Sequence, residues 1–381
     1  MLITKNQIDA VLKYRFNDSP VTSLYLNVDP SGNTSNEYIK NLKTLLRDNK
    51  EKLSKKDFSR DGYYSVLEDF EKIARSVEAF KGRSFRGLAL FSSSRNNYLQ
   101  TFELDEPVKD RLVVDYFPFT KPLFTVLRMK KRYIALLFKK NKLRAFEIYG
   151  DKIQEDIDLF NTSHFSSRSN DYIFINEKKY QNRLETEYHK FLREASNEVL
   201  DLFMEKGADH IVIGGDRNTC SDFLKHMHSY LQERYAGCIE VPFSAKVSHV
   251  LKEVRKINEE IMFDKDREIV DRIRTDLAKN GGACKGVNAI LKALSMAAVR
   301  TMVVEEGYAL PGFIDMETGF LYLEHNDSFP SSGSLMPVKD VINEAVDEAI
   351  HQGAEVRIVK SSKLLKGLDH IAGLLRFSLR S

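Results

Sequence analysis

Along the first 120 residues the apolar positions change period several times. Over 21–29, Val-Thr-Ser-Leu-Tyr-Leu-Asn-Val-Asp sets Val21, Ser23 and Tyr25 against Leu24, Leu26 and Val28. That alternation predicts a strand, ended by the turn Pro30-Ser-Gly-Asn. Over 36–53 and 63–80 the spacing becomes helical, with Ile39, Leu42 and Leu46, then Val66, Phe70, Ile73 and Val77. A continuous apolar run at 87–93 reads as a buried strand, and 98–104 and 111–116 read as edge strands. Pro118 and Pro122 bracket an extended segment expected to be a linker.

Beyond it the pattern predicts strand-turn-strand: 123–129, 133–138 and 143–149, joined by Lys130-Lys-Arg and Lys139-Lys-Asn-Lys. Residues 161–182 are polar and aperiodic, the pattern of a long loop, and long loops in compact domains are usually functional or disordered. A helix starting at Leu184 carries the stripe Tyr188, Phe191, Ala195, Val199 and Leu202 and ends at Gly207. A strand (210–215), a helix (221–235) and a strand (238–242) follow. A charged helix over 250–277 leads to a last set: helices at 287–299 and 338–351, strands at 301–305, 319–324, 354–360 and 371–379. Strands alternating with helices throughout predict an α/β protein of three consecutive α/β domains, 1–120, 121–250 and 251–381.

Composition narrows the class. The chain has 381 residues, 42% hydrophobic and 30% charged, enough apolar content to bury a core in each domain. No apolar stretch approaches the roughly 20 uncharged residues needed to cross a bilayer. The N-terminus lacks a cationic segment followed by an apolar block. Three widely spaced cysteines (Cys220, Cys238, Cys284) fit a reducing cytoplasm and not a disulfide scaffold. A secreted, membrane or collagen-like protein is excluded, and a cytoplasmic one expected. Net charge is +3, too small to name a partner, because a whole-chain balance hides local patches.

One local patch is sharp. Arg128, Lys130, Lys131, Arg132, Lys139, Lys140, Lys142 and Arg144 place eight cations in 17 residues, and the first carboxylate after them is Glu147. Phosphate contact is one use for such a cluster. Solvated turns that keep a sheet edge from aggregating are the other. His226-Met-His228 with Cys220 and Cys238 offers four metal-ligand types, but residues two apart on a helix point about 200° away from each other, and no CxxC supports a site. Gly214-Gly-Asp216 stands between a strand and a helix, where a phosphate could sit. Neither GxGxxG nor GxxxxGK[ST] is present, so a tight turn is the simpler account. No nucleophile elbow, HExxH or catalytic carboxylate pair stands out, and no catalytic residue, cofactor or metal is assigned.

The last third carries a resemblance. Gly286-Val-Asn-Ala-Ile-Leu-Lys-Ala-Leu-Ser-Met-Ala-Ala-Val-Arg-Thr-Met-Val-Val-Glu, then Val341-Ile-Asn-Glu-Ala-Val-Asp-Glu-Ala-Ile-His-Gln-Gly-Ala-Glu-Val, then His370-Ile-Ala-Gly-Leu-Leu-Arg-Phe, resemble the C-terminal domain of the archaeo-eukaryotic class-one release factor and Pelota family. Val21 to Pro30, Pro107 to Pro122 and 123–149 resemble the first two domains of its bacterial members. The resemblance implies a tRNA-shaped, three-domain protein in the ribosomal A site. Its first domain would face the decoding centre, its middle domain the peptidyl-transferase centre, and its last a translational GTPase of the elongation factor Tu type.

The family's Gly-Gly-Gln, which positions water on the peptidyl ester, is missing from 161–182, and Asn-Ile-Lys-Ser is missing from 1–120. The C-terminal cysteine pairs of some relatives are also absent. The expectation is therefore a hibernation or rescue factor without peptide release. The eight hairpin cations, with Arg168, Lys178, Lys179, Gln181 and Arg183 of the polar loop, would contact rRNA. A tRNA nuclease or peptidyl-tRNA hydrolase acting through Gln181, His164 or Arg183 is the enzymatic alternative. A protein-interaction module without RNA is the third.

Overall fold

A computed structural model of the chain describes residues 5–13, 19–30, 35–54, 58–80, 85–139, 142–156, 177–279, 281–323, 335–361 and 363–378. Its contacts divide into two compact units, Met1–Arg128 with Lys265–Ser381, and Met129–Asp264.

In the first unit, β1 (Val21–Asn27) lies inside an antiparallel sheet of order β3-β2-β1-β4, with β2 Gly87–Ser93, β3 Tyr98–Leu104 and β4 Arg111–Asp115. The two edge strands are those the sequence predicts. Helices α2 (Ser35–Lys52) and α3 (Arg60–Glu78) cover one face, burying Leu24 and Leu26 against Val66, Phe70 and Ile73. Helices α1 (Lys5–Lys13) and α4 (Lys121–Met129) cover the other, where Tyr25 and Phe91 meet Ile8, Val11, Phe119 and Leu123. With both faces covered, six of the seven β1 residues are buried, so the alternation marks two cores and not a wet face.

Two expectations fail here. Residues 123–129 form no strand: α4 is a helix. Leu123 and Val126 stand three apart on its buried face, and Pro122 sits in the first turn, where its missing N–H costs no helical bond. Nor is 118–122 an open linker, since Phe119, Thr120 and Lys121 are buried.

The same unit holds a second sheet, β10-β16-β11-β15, and a small one, β13-β12-β14. Their strands are β10 Ala283–Lys285, β11 Val299–Glu305, β12 Gly312–Asp315, β13 Leu321–Tyr322, β14 Leu335–Val338, β15 Glu355–Val359 and β16 Ile371–Leu375. Helices α9 (Val287–Ser295) and α10 (Val341–His351) pack on one face of the larger sheet. On the other, Val270 and Ile273 of helix α8 (Val247–Ala278) meet Val303, Leu365 and Ala372.

A polar clasp joins α10 to the segment after β4. The Asn343 amide donates to Pro118 O (3.1 Å) while its oxygen accepts from Thr120 N (3.1 Å). The Thr120 hydroxyl donates to Asp347 Oδ1, Lys121 Nζ pairs with Asp340 (2.5 Å), and Lys339 N donates to Asp115 (2.8 Å). Burial lowers the Lys121 ammonium's pKa, opposed by Asp340. Burial, with Asp347 nearby, lifts Glu344 well above the usual carboxylate range. Burial pushes Asp347 up to about 8, against the Thr120 hydrogen bond and Lys121. Both acids keep part of their surface accessible, which tempers the effect.

The second unit is a five-stranded sheet, β7-β6-β5-β8-β9, with β5 Arg132–Lys139, β6 Lys142–Tyr149, β7 Lys152–Asp156, β8 His210–Gly214 and β9 Tyr235–Ile239. Helices α5 (Glu177–Lys206) and α6 (Arg217–His226), with the short α7 (Ser229–Gln232), bury Phe191, Ala195, Val199 and Phe223 against one face. The first part of α8 buries Val250, Val254 and Ile257 against the other. Helix α5 begins at Glu177, seven residues before the expected start, so 177–182 belong to a helix and not to the polar loop.

The cysteine expectation is also corrected. Cys220 of α6 and Cys238 of β9 stand with Cα atoms 6.7 Å apart and form a disulfide, because the α6-to-β9 return brings both beneath the same sheet end. Cys284 is free, its thiol pushed up to about 11 by burial.

Candidate nucleic-acid interface

The eight cations that the sequence clusters are separated by the fold. Arg128 lies in α4 of the first unit, where its guanidinium pairs with Asp266 beside Arg357. Burial lowers its pKa and Asp266 opposes the shift. The other described ones lie in the second unit, at opposite ends of β5. An eight-residue strand spans about 26 Å, so two groups near in sequence are far apart in space.

At the end where β5 begins, the cations are engaged. Lys130 is buried at 8% exposure. Lys131 pairs with Asp209 (3.3 Å), the residue before β8. Arg132 pairs with Glu147 (2.8 Å) and lies 5.0 Å from the Tyr149 ring centroid. The register explains this: Arg132 is directly opposite Tyr149 and diagonal to Glu147. Arg144, on β6 opposite Leu137 and so two residues from the hairpin tip, is nevertheless the cation held hardest. It grips Glu155 through Nε (2.5 Å) and Nη2 (2.8 Å), donates to Phe243 O (2.6 Å) and Ala245 O (3.1 Å), and lies over Phe146. The Arg144 hydrogen bond lowers the Glu155 pKa and the reciprocal bond raises that of Arg144. The signal for this was weak, because Glu155 belongs to β7, which the sequence reading missed.

At the other end, Lys139 and Lys142 face each other across the hairpin as direct cross-strand partners. Both are exposed, and among the described residues no carboxylate pairs with either. Like charges directly opposite are unfavourable, so this end holds uncompensated positive potential. Lys140, between them, lies outside the described residues.

The fold brings two other segments to that end. β8 runs parallel to β5, with Leu137 opposite Gly214, so the turn into α6 lies beside the hairpin tip. A Cβ on Gly214 would stand 2.2 Å from Leu137 Cδ2, so no side chain fits there. Asp216 then caps α6 by accepting from Thr219 N (2.9 Å) and the Thr219 hydroxyl (2.8 Å), which lower its pKa. Its oxygens occupy the helix N-terminus that a phosphate would use, so the turn is structural. Arg217 and Glu240 form an exposed pair (3.0 Å).

Helix α5 leads into β8, so its own start points back toward the hairpin tip. The Tyr188 side chain bonds Thr219 in the first turn of α6. The eleven residues of α5 before Tyr188, 177–187, therefore extend about 16 Å past that level. They carry Lys178, Lys179, Gln181 and Arg183, of which the structure describes only the backbone. Gln181 and Arg183 are helical, a correction to their placement in a loop. Arg168 and His164 lie outside the described residues.

The four side chains of metal-ligand type do not converge. Cys220 and Cys238 bond each other. His226 meets His189 (2.9 Å between ring nitrogens), its pKa lowered by burial and by that neighbour. The His228 ring accepts from Tyr230 N as the cap of α7. Among the described residues no three His, Cys, Asp or Glu side chains are grouped to hold an ion. Among the same residues no helix is long and apolar enough to cross a membrane.

The family model described as bacterial archaeo-eukaryotic release factor family 10 matches residues 118–259, the second unit with α4. Peptide chain release factor subunit 1 of Thermococcus sibiricus is 24% identical over 415 residues, covering 99% of this chain and 97% of that protein. The pelota homolog of Methanocaldococcus jannaschii is 24% identical over 260 residues, covering 66% and 62%. A structure described as a model of ribosome-bound archaeal Pelota and ABCE1 is 12% identical, covers 98% and 95%, and has a TM-score of 0.40. Over these stretches the chain is similar to proteins of the archaeo-eukaryotic release factor and Pelota family.

Proposed function

We propose that this chain occupies the ribosomal A site and holds it without releasing peptide, as a hibernation or rescue factor. The uncompensated Lys139–Lys142 pair carries the reading: two exposed like charges face each other at the sheet end toward which the start of α5 points, a helix whose first turns contain Lys178, Lys179 and Arg183 in sequence. rRNA phosphates are the partner that relieves such a pair, and each one neutralised releases counterions. Full-length similarity to an archaeal release factor supports the ribosome as the source of that RNA. Residues 161–182 contain no Gly-Gly-Gln, which supports occupation over hydrolysis. The C-terminal part of the chain would meet a translational GTPase, as the family resemblance implies.

The test is sedimentation of purified protein with ribosomes through sucrose at rising salt, beside a peptide-release assay on stop-codon complexes. Co-sedimentation that weakens with salt, with no hydrolysis above background, is the expected result. Protein that stays at the top of a low-salt gradient would overturn the reading. Codon-dependent release would replace it with an enzymatic one acting through the segment before α5.

A further inference from the structure

At the carboxyl ends of β11 and β15 lies a cavity of about 380 Å³ lined by Glu305, Lys363, Lys366, Asp369 and His370, among others. These two strands are parallel and end side by side at Glu305 and Val359, while the antiparallel β16 starts between them and β10. Ligands of α/β sheets bind outside the carboxyl ends of parallel strands, where the chain changes direction. The cavity stands where that rule points.

Its walls have a definite charge. Glu305 accepts from or pairs with the His370 ring (Nδ1 to Oε2, 2.6 Å), and Asp369 stands 3.7 Å from Lys285 Nζ, which also donates to Gly367 O (3.2 Å). Both carboxylates thus have a partner. Lys363 and Lys366 are exposed and have no carboxylate partner among the described residues. Counting Lys285, three ammonium groups stand against two carboxylates, so the favoured ligand is an anion.

A ring completes the site. His370 stacks on Tyr308 with centroids 4.9 Å apart and planes at 23°, and its side chain is still 58% exposed. The backbone holds it there at a cost: Asp369 (φ 52°) and His370 (φ 64°) both adopt the left-handed region, where side chains are strained. Two consecutive strained residues that set an exposed, stacked ring beside two unpartnered ammonium groups have the layout of a stacking platform with phosphate ligands.

We propose that this cavity binds a nucleotide, with the base against the His370 ring and the phosphates on Lys363 and Lys366. The same chemistry comes from a free mononucleotide or from an unpaired nucleotide of an RNA strand. The site is separate from the Lys139–Lys142 end and does not depend on ribosome binding.

Titration calorimetry on the full chain with ADP, a short single-stranded RNA and inorganic phosphate tests it. ADP or the RNA should bind at least tenfold more tightly than phosphate alone. ADP binding identifies a free nucleotide as the source, and binding of the oligonucleotide alone identifies an RNA strand. Lys363→Ser with Lys366→Ser should lose tenfold or more, while Lys139→Ser with Lys142→Ser leaves ADP binding intact. His370→Gly should lose it too, with the melting temperature kept, because glycine adopts a positive φ freely. The lysine pair is exposed, so its substitution decides the matter even if the glycine variant is unstable. Nucleotide binding no tighter than phosphate, equal binding by the lysine variant, or preference for polyglutamate would overturn the proposal.

Discussion

The two ends of strand β5 carry the same residue type at the same density and have opposite fates. Where β5 begins, Lys131 and Arg132 meet Asp209 and Glu147, and two residues short of the hairpin tip Arg144 of the neighbouring strand is locked by Glu155 and two carbonyls. Where β5 ends, Lys139 and Lys142 meet only each other. The difference comes from what the fold places opposite. One end has Asp209, just before β8, and Glu147 of β6 beside it, whereas at the other Glu155 of β7 is taken up by Arg144, which leaves the tip lysines without a carboxylate among the described residues. A cationic run is therefore a candidate for phosphate contact only after its internal partners have been subtracted.

The comparison breaks most decisively at Arg144. Replacing it with Ala leaves Glu155 and two backbone carbonyls without their donor and should cost about 2–3 kcal/mol of stability by urea unfolding. A loss below about 0.5 kcal/mol would mean that Arg144 is as free as the hairpin lysines.

The clasp on α10 extends the contrast to acids. Asp347 has a folded pKa of about 8, raised above the ordinary carboxylate value of about 3.9. The folded state therefore binds the extra proton between those values, and stability should fall as pH rises through that window. Asp347→Asn keeps an acceptor for the Thr120 hydroxyl and should flatten the slope of melting temperature against pH between about 4 and 8. An unchanged slope would remove Asp347 from the clasp's titration.

Arg132→Ala removes a part-exposed ion pair and a cation–π contact and should cost about 1 kcal/mol, with ribosome affinity nearly unchanged. Lys139→Ser with Lys142→Ser should have the smallest effect on stability, at most about 0.5 kcal/mol in either direction, since it removes a like-charge pair. Yet it should lower the slope of log affinity against log salt by roughly two units if both lysines touch phosphate. Equal effects of the Arg132 and lysine variants on ribosome binding would erase the distinction between the ends.

Apolar period was enough for much of the architecture. The alternation at 21–29, the stripe Tyr188 to Leu202 and the long helix before Leu277 were all legible, because each buries one continuous face whose spacing is written locally. The same reading misplaced 123–129 as a strand, since seven apolar-rich residues fit either period and only the packing of Leu123 and Val126 against the first sheet selects a helix. It missed helix α1, β7 and the three short strands β10, β12 and β14, and the last three have too few residues to carry a pattern.

For the candidate site, the sequence by itself determined where cations are dense and that Gly-Gly-Gln is absent. Tertiary structure decided which of those cations are free. Ion pairing depends on residues brought together across strands, such as Arg144 with Glu155 and Lys131 with Asp209, and no local period encodes that pairing. The Cys220–Cys238 bond follows the same logic: a separation of 18 residues along the chain hides a neighbourhood that exists only once α6 has folded back beside β9.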